Sequence, residues 1–133
     1  MNNGNYNTFN FSRFTLLEEL IIEDDCFGNV NEFVIDELNK LKSLKIGINS
    51  FTKYKNSYGN NPSRSFHVLN CDELESIEID RYSFSDYGGG FELYNLSKLS
   101  TIKIGYMGEI GYYSYNFFYS SFEIKGIIDI LYC

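Results

Sequence analysis

Apolar and polar residues alternate along the chain in two short patterns that take turns. The first is L-x-x-Φ-x-Φ, where Φ is a large apolar residue. It occurs as Leu17-Leu20-Ile22, Leu41-Leu44-Ile46, Leu74-Ile77-Ile79 and Leu99-Ile102-Ile104. The second is F-x-Φ-x-x-Φ, occurring as Phe9-Phe11-Phe14, Phe33-Ile35-Leu38, Phe66-Val68-Cys71, Phe91-Leu93-Leu96 and Phe122-Ile124-Ile127. In every copy of the second pattern, the next first pattern opens three residues after its last apolar position. That constant gap survives while the segments between patterns vary, which is the mark of a structural repeat.

The Φ-x-Φ core of each pattern has the period of a strand with one buried face, and its Ile and Phe content suits strands. An amphipathic helix needs an i, i+3, i+4, i+7 stripe, and none is sustained here. One repeat cannot bury its apolar side alone. Stacking copies aligns equivalent positions about 4.8 Å apart as parallel strands, so two patterns per turn predict two sheets, or one sheet and an extended back. The openings fall at 17, 41, 74 and 99, steps of 24, 33 and 25 residues. A phenylalanine stands ten residues after each of the first three openings (Phe27, Phe51, Phe84), which predicts an internal ring column. In the fourth copy Glu109 holds that offset, with Ile110 beside it. Ile130-x-x-Cys133 resembles the start of a further first pattern. The expectation is one domain over residues 1–133, about four repeats with little helix, starting and ending in mid-repeat.

Two segments carry the excess length. Residues 52–65, TKYKNSYGNNPSRS, read as a polar surface loop holding the only proline, Pro62. Residues 105–121, GYMGEIGYYSYNFFYSS, are rich in aromatic residues. Between them, Gly88-Gly89-Gly90 reads as a tight return. A glycine run also cradles phosphate in some folds, but this one precedes a strand-like pattern and lacks the flanking lysine.

These patterns resemble leucine-rich repeats. LKSLKIGIN (41–49) matches L-x-x-L-x-L-x-x-N through Asn49. FHVLNCDEL (66–74) is similar to the divergent subclass found in long protist and bacterial arrays. The resemblance implies a β-dominated solenoid of leucine-rich-repeat type, recognition of a protein partner through the first strands, and no enzyme. At the position of the family's ladder asparagine this chain has Asp25, Asn49, Tyr82 and Met107. Only one copy keeps the residue that satisfies the turn backbone.

Composition narrows the role. The 133 residues are 44% hydrophobic and 18% aromatic, enough for a core. A net charge of -7 argues against a partner gripped by its phosphates, so nucleic acid is not expected. No leader-like start and no run of 18 apolar residues point to a cytoplasmic chain without a membrane partner. Cys26, Cys71 and Cys133 form no C-x-x-C pair and read as reduced thiols.

Chemistry candidates are few. His67 points outward by alternation, with Asp72 following, but no motif positions a nucleophile. Cys71 fills a slot that other copies give to Leu or Ile, so it reads as a buried hydrophobe. Glu23, Asp24 and Asp25 lack the oxygen spacing of a calcium loop. No cofactor or metal is expected. Outward positions of the first pattern read Glu18-Lys42-Glu75 and Lys45-Glu78-Lys103, ladders of alternating sign that would set register between strands. The contact candidates are Tyr106, Tyr112, Tyr113, Tyr115, Phe118 and Tyr119, since Tyr and Phe dominate interface energetics. The functional expectation is a non-enzymatic repeat module that binds protein. The alternatives are a structural segment of a larger array that pairs with itself through open strand edges, and a carbohydrate-binding or adhesion repeat.

Overall fold

The computed structural model describes residues 8–53, 61–105, 115–117 and 120–126. They form nine short strands and no helix: β1 (Thr8–Asn10), β2 (Glu19–Ile22), β3 (Glu32–Asp36), β4 (Ser43–Ile46), β5 (Ser65–Leu69), β6 (Ser76–Ile79), β7 (Phe91–Tyr94), β8 (Thr101–Ile104) and β9 (Phe122–Lys125). Odd strands make a five-stranded sheet in the order β1-β3-β5-β7-β9. Even strands make a four-stranded sheet in the order β2-β4-β6-β8. All pairings are parallel, so the chain crosses between sheets at every step and each turn adds one strand to both. Both patterns are therefore strands, and the back of the coil is a second sheet.

Pairing follows the repeat residue for residue. Leu20, Leu44, Ile77 and Ile102 align across the four-stranded sheet. Phe9, Phe33, Phe66, Phe91 and Phe122 align across the other. The core lies between the sheets. Leu41, Leu44, Leu74, Ile77, Ile35, Val68 and Leu93 are all fully enclosed.

Two phenyl stacks form the aromatic part of that core. Phe33, Phe66 and Phe91 stack at 4.9 and 4.8 Å with rings within 2° of parallel. Phe27, Phe51, Phe84 and Phe117 stack at 5.3, 4.9 and 5.0 Å. The stacks lock edge to face, as in Phe33–Phe51 at 84° and Phe66–Phe84 at 80°. Strand spacing of about 4.8 Å dictates ring spacing here, and the edge-to-face contacts supply the favourable quadrupole geometry that the parallel pairs lack.

The column corrects the offset reading of the fourth repeat. Its fourth ring is Phe117, not Glu109 or Ile110, both of which lie outside the described residues. An insertion between opening and ring pushes Phe117 to eighteen residues after Leu99. The same shift moves the turn position from Met107 to Tyr115: Asp25, Asn49, Tyr82 and Tyr115 share φ of 58°, 58°, 67° and 53°.

The four column phenylalanines are themselves left-handed, with φ between 50° and 60°. That conformation costs about 1–2 kcal/mol per residue, while burying a phenyl ring returns about 1.5–3 kcal/mol. Burial wins, because the left-handed turn is what aims the ring inward.

The missing asparagine ladder is replaced. Cys26, Ser50, Ser83 and Asn116 precede the ring in each repeat. Ser50 Oγ donates to Glu23 O and accepts from the Cys26 amide. Ser83 Oγ donates to Gly47 O at 2.5 Å and accepts from the Ser50 amide at 2.9 Å. Asn116 Nδ2 donates to Asp80 O and Ser83 O at 2.6 and 3.0 Å. A second ladder runs at the other turn, where Asn95 Nδ2 donates to Asn70 Oδ1 and Asn70 Nδ2 to Asp36 Oδ1, both at 2.9 Å.

Candidate functional site

Of the six aromatic contact candidates, Tyr106, Tyr112, Tyr113, Phe118 and Tyr119 lie outside the described residues. Tyr115 is described. It is half-buried and stacks on Tyr82 with ring centres 6.1 Å apart and planes 19° from parallel. The Arg81 guanidinium sits 5.9 Å from the centre of the Tyr82 ring. Beside Tyr115, Asn116 bonds to backbone carbonyls of the preceding repeat and Phe117 is buried in the ring column. Residues 115–117 are thus fixed to repeat three. Arg81 and Tyr82, both half-buried, join them at positions that the sequence pattern assigns only to a turn.

The adjoining outer face of the four-stranded sheet carries the charge ladders. Lys42 Nζ lies 3.2 Å from Glu18, and Glu78 is flanked by Lys45 at 3.6 Å and Lys103 at 3.8 Å. Lys98 pairs with Glu73 at 3.0 Å. The hydrogen bond that Lys42 donates to Glu18 raises the Lys42 ammonium above its usual range, and the one that Lys98 donates to Glu73 lowers the Glu73 carboxyl. All these groups are solvated, so each pair is worth about 0–1 kcal/mol and defines register more than strength. A shallow cleft of about 560 Å³ over the strand ends is lined by Glu23, Asp24, Glu78, Asp80 and Lys45. Asp24 Oδ1 already accepts the Ile48 amide at 2.7 Å, and Asp25 Oδ1 accepts Asn49 Nδ2 at 2.6 Å, so both carboxylates are engaged by the next turn.

The five-stranded sheet holds the nearest approach to a catalytic constellation. His67 Nδ1 is 2.8 Å from Glu92 Oε1, and Nε2 is 3.0 Å from Ser65 Oγ. Glu92, not Asp72, is the histidine's carboxylate, because Phe66 pairs with Phe91 and sets His67 opposite Glu92. That register was available from the repeat, and Ser65 shares the histidine's face by alternation. Serine, imidazole and carboxylate in this order are a nucleophile, its base and an orienting group. Acyl transfer also needs donors for the oxyanion. The nearby amides are committed to the sheet: Ser65 N donates to Asn31 O and Phe66 N to Gly90 O. The trio is a cross-strand hydrogen-bond chain on a flat face.

Behind the turns lies a buried polar cluster. Arg64 and Asp86 are each 1% exposed and meet at 2.5 Å. Arg64 Nη2 also donates to Gly28 O and Val30 O, and its guanidinium lies 4.8 Å over the Tyr87 ring. Asp86 accepts from Thr52 Oγ1 and the Lys53 amide, both at 3.1 Å. Tyr87 Oη donates to Val30 O, and burial pushes its hydroxyl pKa up. The expected surface loop therefore has buried ends, at Thr52 and Arg64, and they are tied to the repeats on either side.

Cys71 is fully buried and burial raises its thiol to about 11, which keeps it protonated and inert; Cys26 is half-buried. Among the described residues no cluster of His, Cys, Asp and Glu is arranged to hold a metal ion, and no helix is long and apolar enough to cross a membrane. Compared with protein families, curated proteins and solved structures, the chain matches none.

Proposed function

We propose that the chain is a protein-binding repeat module of leucine-rich-repeat type, without catalytic activity, and that it grips its partner through the aromatic ridge beside the four-stranded sheet. The observation that carries this reading is the Tyr82–Tyr115 stack with Arg81 against it. Tyr and Arg are the residue types that dominate binding hot spots, and rings held by stacking lose little entropy on contact. The neighbouring sheet face supports the same role. Its charges are paired off, so it suits a broad polar rim better than the capture of a highly charged ligand. The engagement of the Ser65 and Phe66 amides in the sheet favours a binding role over hydrolysis.

The test is selection of binders from a displayed peptide library, followed by affinity measurement on variants. Changing Tyr82, Tyr112, Tyr113 and Tyr115 together to Ser is expected to weaken binding by about tenfold or more, the scale of losing a hot spot. Binding at full affinity in that variant would overturn the ridge as the contact surface. Changing Lys45 and Lys103 to Ser should alter it by less than about threefold, as for rim charges.

A further inference from the structure

The two ends of the coil are complementary to each other. Among the described residues, β1 and β2 at one end have a strand neighbour on one side only; at the other end, β8 and β9 do. Residues that are sealed in the middle open at both ends along the same columns. Leu44 and Ile77 are 0% exposed, but Ile102 is 37% exposed; Val68 and Leu93 are 0% exposed, but Ile124 is 49%. At the first end Phe14 is 43% exposed, whereas Leu38, Cys71 and Leu96 at the same repeat position are at most 1%, and it borders an apolar concavity of about 620 Å³ lined also by Phe9, Phe11, Leu17, Leu20 and Phe27.

The backbone of these edges is matched as well. Glu18 O and Ile22 O accept bonds from β4, through the Ser43 and Gly47 amides. Peptide groups alternate sides along a strand, so those of Glu19 and Ile21 face the free edge. On β8 the Thr101 and Gly105 amides reach back to repeat three, at Glu75 O and Ile79 O, which turns the peptide groups of Ile102 and Ile104 to the opposite free edge. Extending the internal register by one rung sets Ile102 opposite Leu20 and Ile104 opposite Ile22, with the Ile21 amide aimed at Ile102 O.

Charge agrees with this pairing. On the four-stranded sheet the first rung exposes Glu18, Glu19 and Glu23 and the last exposes Lys98 and Lys103; on the other sheet Lys125 is already paired with Glu123 at 2.6 Å. In the extended register Lys103 stands opposite Ile21, diagonal to Glu19 and Glu23, and Lys98 is diagonal to Glu18. Diagonal neighbours lie about 7–8 Å apart, within reach of lysine.

The geometry points to a second copy of this chain as the occupant of these edges: β8 and β9 of one copy add in parallel to β2 and β1 of the next, continuing both sheets head to tail. Because the two surfaces differ, the contact is heterologous and grows chains rather than closed dimers. This rests on the repeat reading above, and it adds the partner and the register.

Light scattering and sedimentation of the full chain, from about 1 to about 500 µM, test it. The weight-average mass should climb past that of a dimer and fall when salt is raised. Ile21→Pro removes the edge amide of β2 and leaves the β2–β4 ladder intact; Ile102→Pro does the same for β8. Each variant alone should need at least about tenfold more protein to associate, while an equal mixture should stop at dimers, since one free end of each kind remains. Should a proline variant melt early, Ile21→Lys, which sets a second cation against Lys103, takes its place. A constant monomer mass, or a plateau at dimer that the edge variants do not shift, overturns the proposal. A monomer that still binds selected peptides through Tyr82 and Tyr115 would remove the self-pairing and leave the binding reading intact.

Discussion

Repeats two and three solve one problem in two ways. Each must return from the four-stranded sheet to the five-stranded one, from Phe51 to Phe66 and from Phe84 to Phe91. Repeat three does it in a few residues of Ser, Asp, Tyr and Gly. Gly90 takes φ of 130°, and Gly89 lies so close to its neighbours that a Cβ would stand 2.5 Å from Pro62 O and 2.7 Å from Arg64 O. Repeat two makes a longer excursion and closes it with the buried Arg64, which reaches back to Gly28 and Val30 and forward to Asp86. The short return depends on the absence of side chains, and the long one on a polar side chain fully engaged. The long return also leans on the short one, because Asp86 and Tyr87 belong to repeat three. Insertions are tolerated in this coil where the next turn supplies the closing groups.

The largest expected effect comes from breaking the ion pair one-sidedly. Asp86→Ala leaves the Arg64 guanidinium buried without its anion and should cost about 3–5 kcal/mol in urea unfolding. The double change Arg64→Met with Asp86→Leu removes both charges and should cost far less than the two single changes added together. Additive losses would show that the two groups act separately and that the contrast between the two returns is misdrawn.

Next come the glycines of the short return. Gly89→Ala forces backbone atoms apart and should destabilise by about 1–3 kcal/mol, the scale of overpacking. Gly90 has room for a side chain, since a Cβ there would stand at ordinary van der Waals distance, 3.9 Å, from Ser121 O. Gly90→Ala therefore isolates the strain of φ, at about 1–3 kcal/mol. A Gly89→Ala variant that melts like the parent would place the close approach in doubt.

How much of this was legible beforehand follows from what each feature depends on. Strand identity, parallel register and the ion ladders depend on spacing within a repeat, and spacing can be read from Leu41-Leu44-Ile46 laid over Leu74-Ile77-Ile79. The Lys45–Glu78 and Glu78–Lys103 pairs follow directly. Phe117 escapes the pattern because an insertion breaks the fixed offset from Leu99, although Asn116-Phe117 repeats Ser50-Phe51 and Ser83-Phe84. Arg64 escapes it for a different reason. An isolated arginine in a polar segment reads as solvated, and only tertiary geometry brings Asp86, Gly28 and Tyr87 around it. The His67–Glu92 contact was within reach, since the register that pairs the first strands applies equally to Phe66 and Phe91. Of the six aromatic contact candidates, Tyr115 alone falls where structure is described, and its stacking partner Tyr82 was hidden by its assignment to a turn position.

A smaller effect is expected at the serine ladder. Ser83→Ala strands the Ser50 amide and the Gly47 carbonyl and should cost about 1–3 kcal/mol. Ser83→Asn tests whether the site accepts what repeat four uses at Asn116. A melting temperature near the parent's would show the two residue types to be interchangeable rungs.

The burial of Cys71 makes an alkaline prediction of similar modest size. Its folded thiol titrates near 11 against about 9 when unfolded. The folded state therefore holds the proton more tightly, and the stabilisation is complete below about pH 9 and declines as pH rises toward 11. Urea midpoints measured from pH 8 to 11 should fall more steeply for the parent than for Cys71→Val, at a slot filled by Leu38 and Leu96 in the adjoining copies.

The smallest effect belongs to the surface ladder, and it bears on the two returns through register. Glu78→Lys places three lysines in a row, Lys45, the new cation and Lys103, on adjoining strands. Each lost attraction and each new repulsion is worth about 0.2–1 kcal/mol at an exposed cross-strand position, and salt screens both. The variant should unfold about 1 kcal/mol sooner at low salt and recover most of that at about 1 M salt. Changing Lys45 and Lys103 to Glu in the same chain restores alternation with reversed sign, and stability should return without added salt. If the triple variant stays as weak as Glu78→Lys, the side chains matter through the packing of their stems on the outer face rather than through the sign of their charge. Register would then be held by the ring columns and the closing groups of the returns alone.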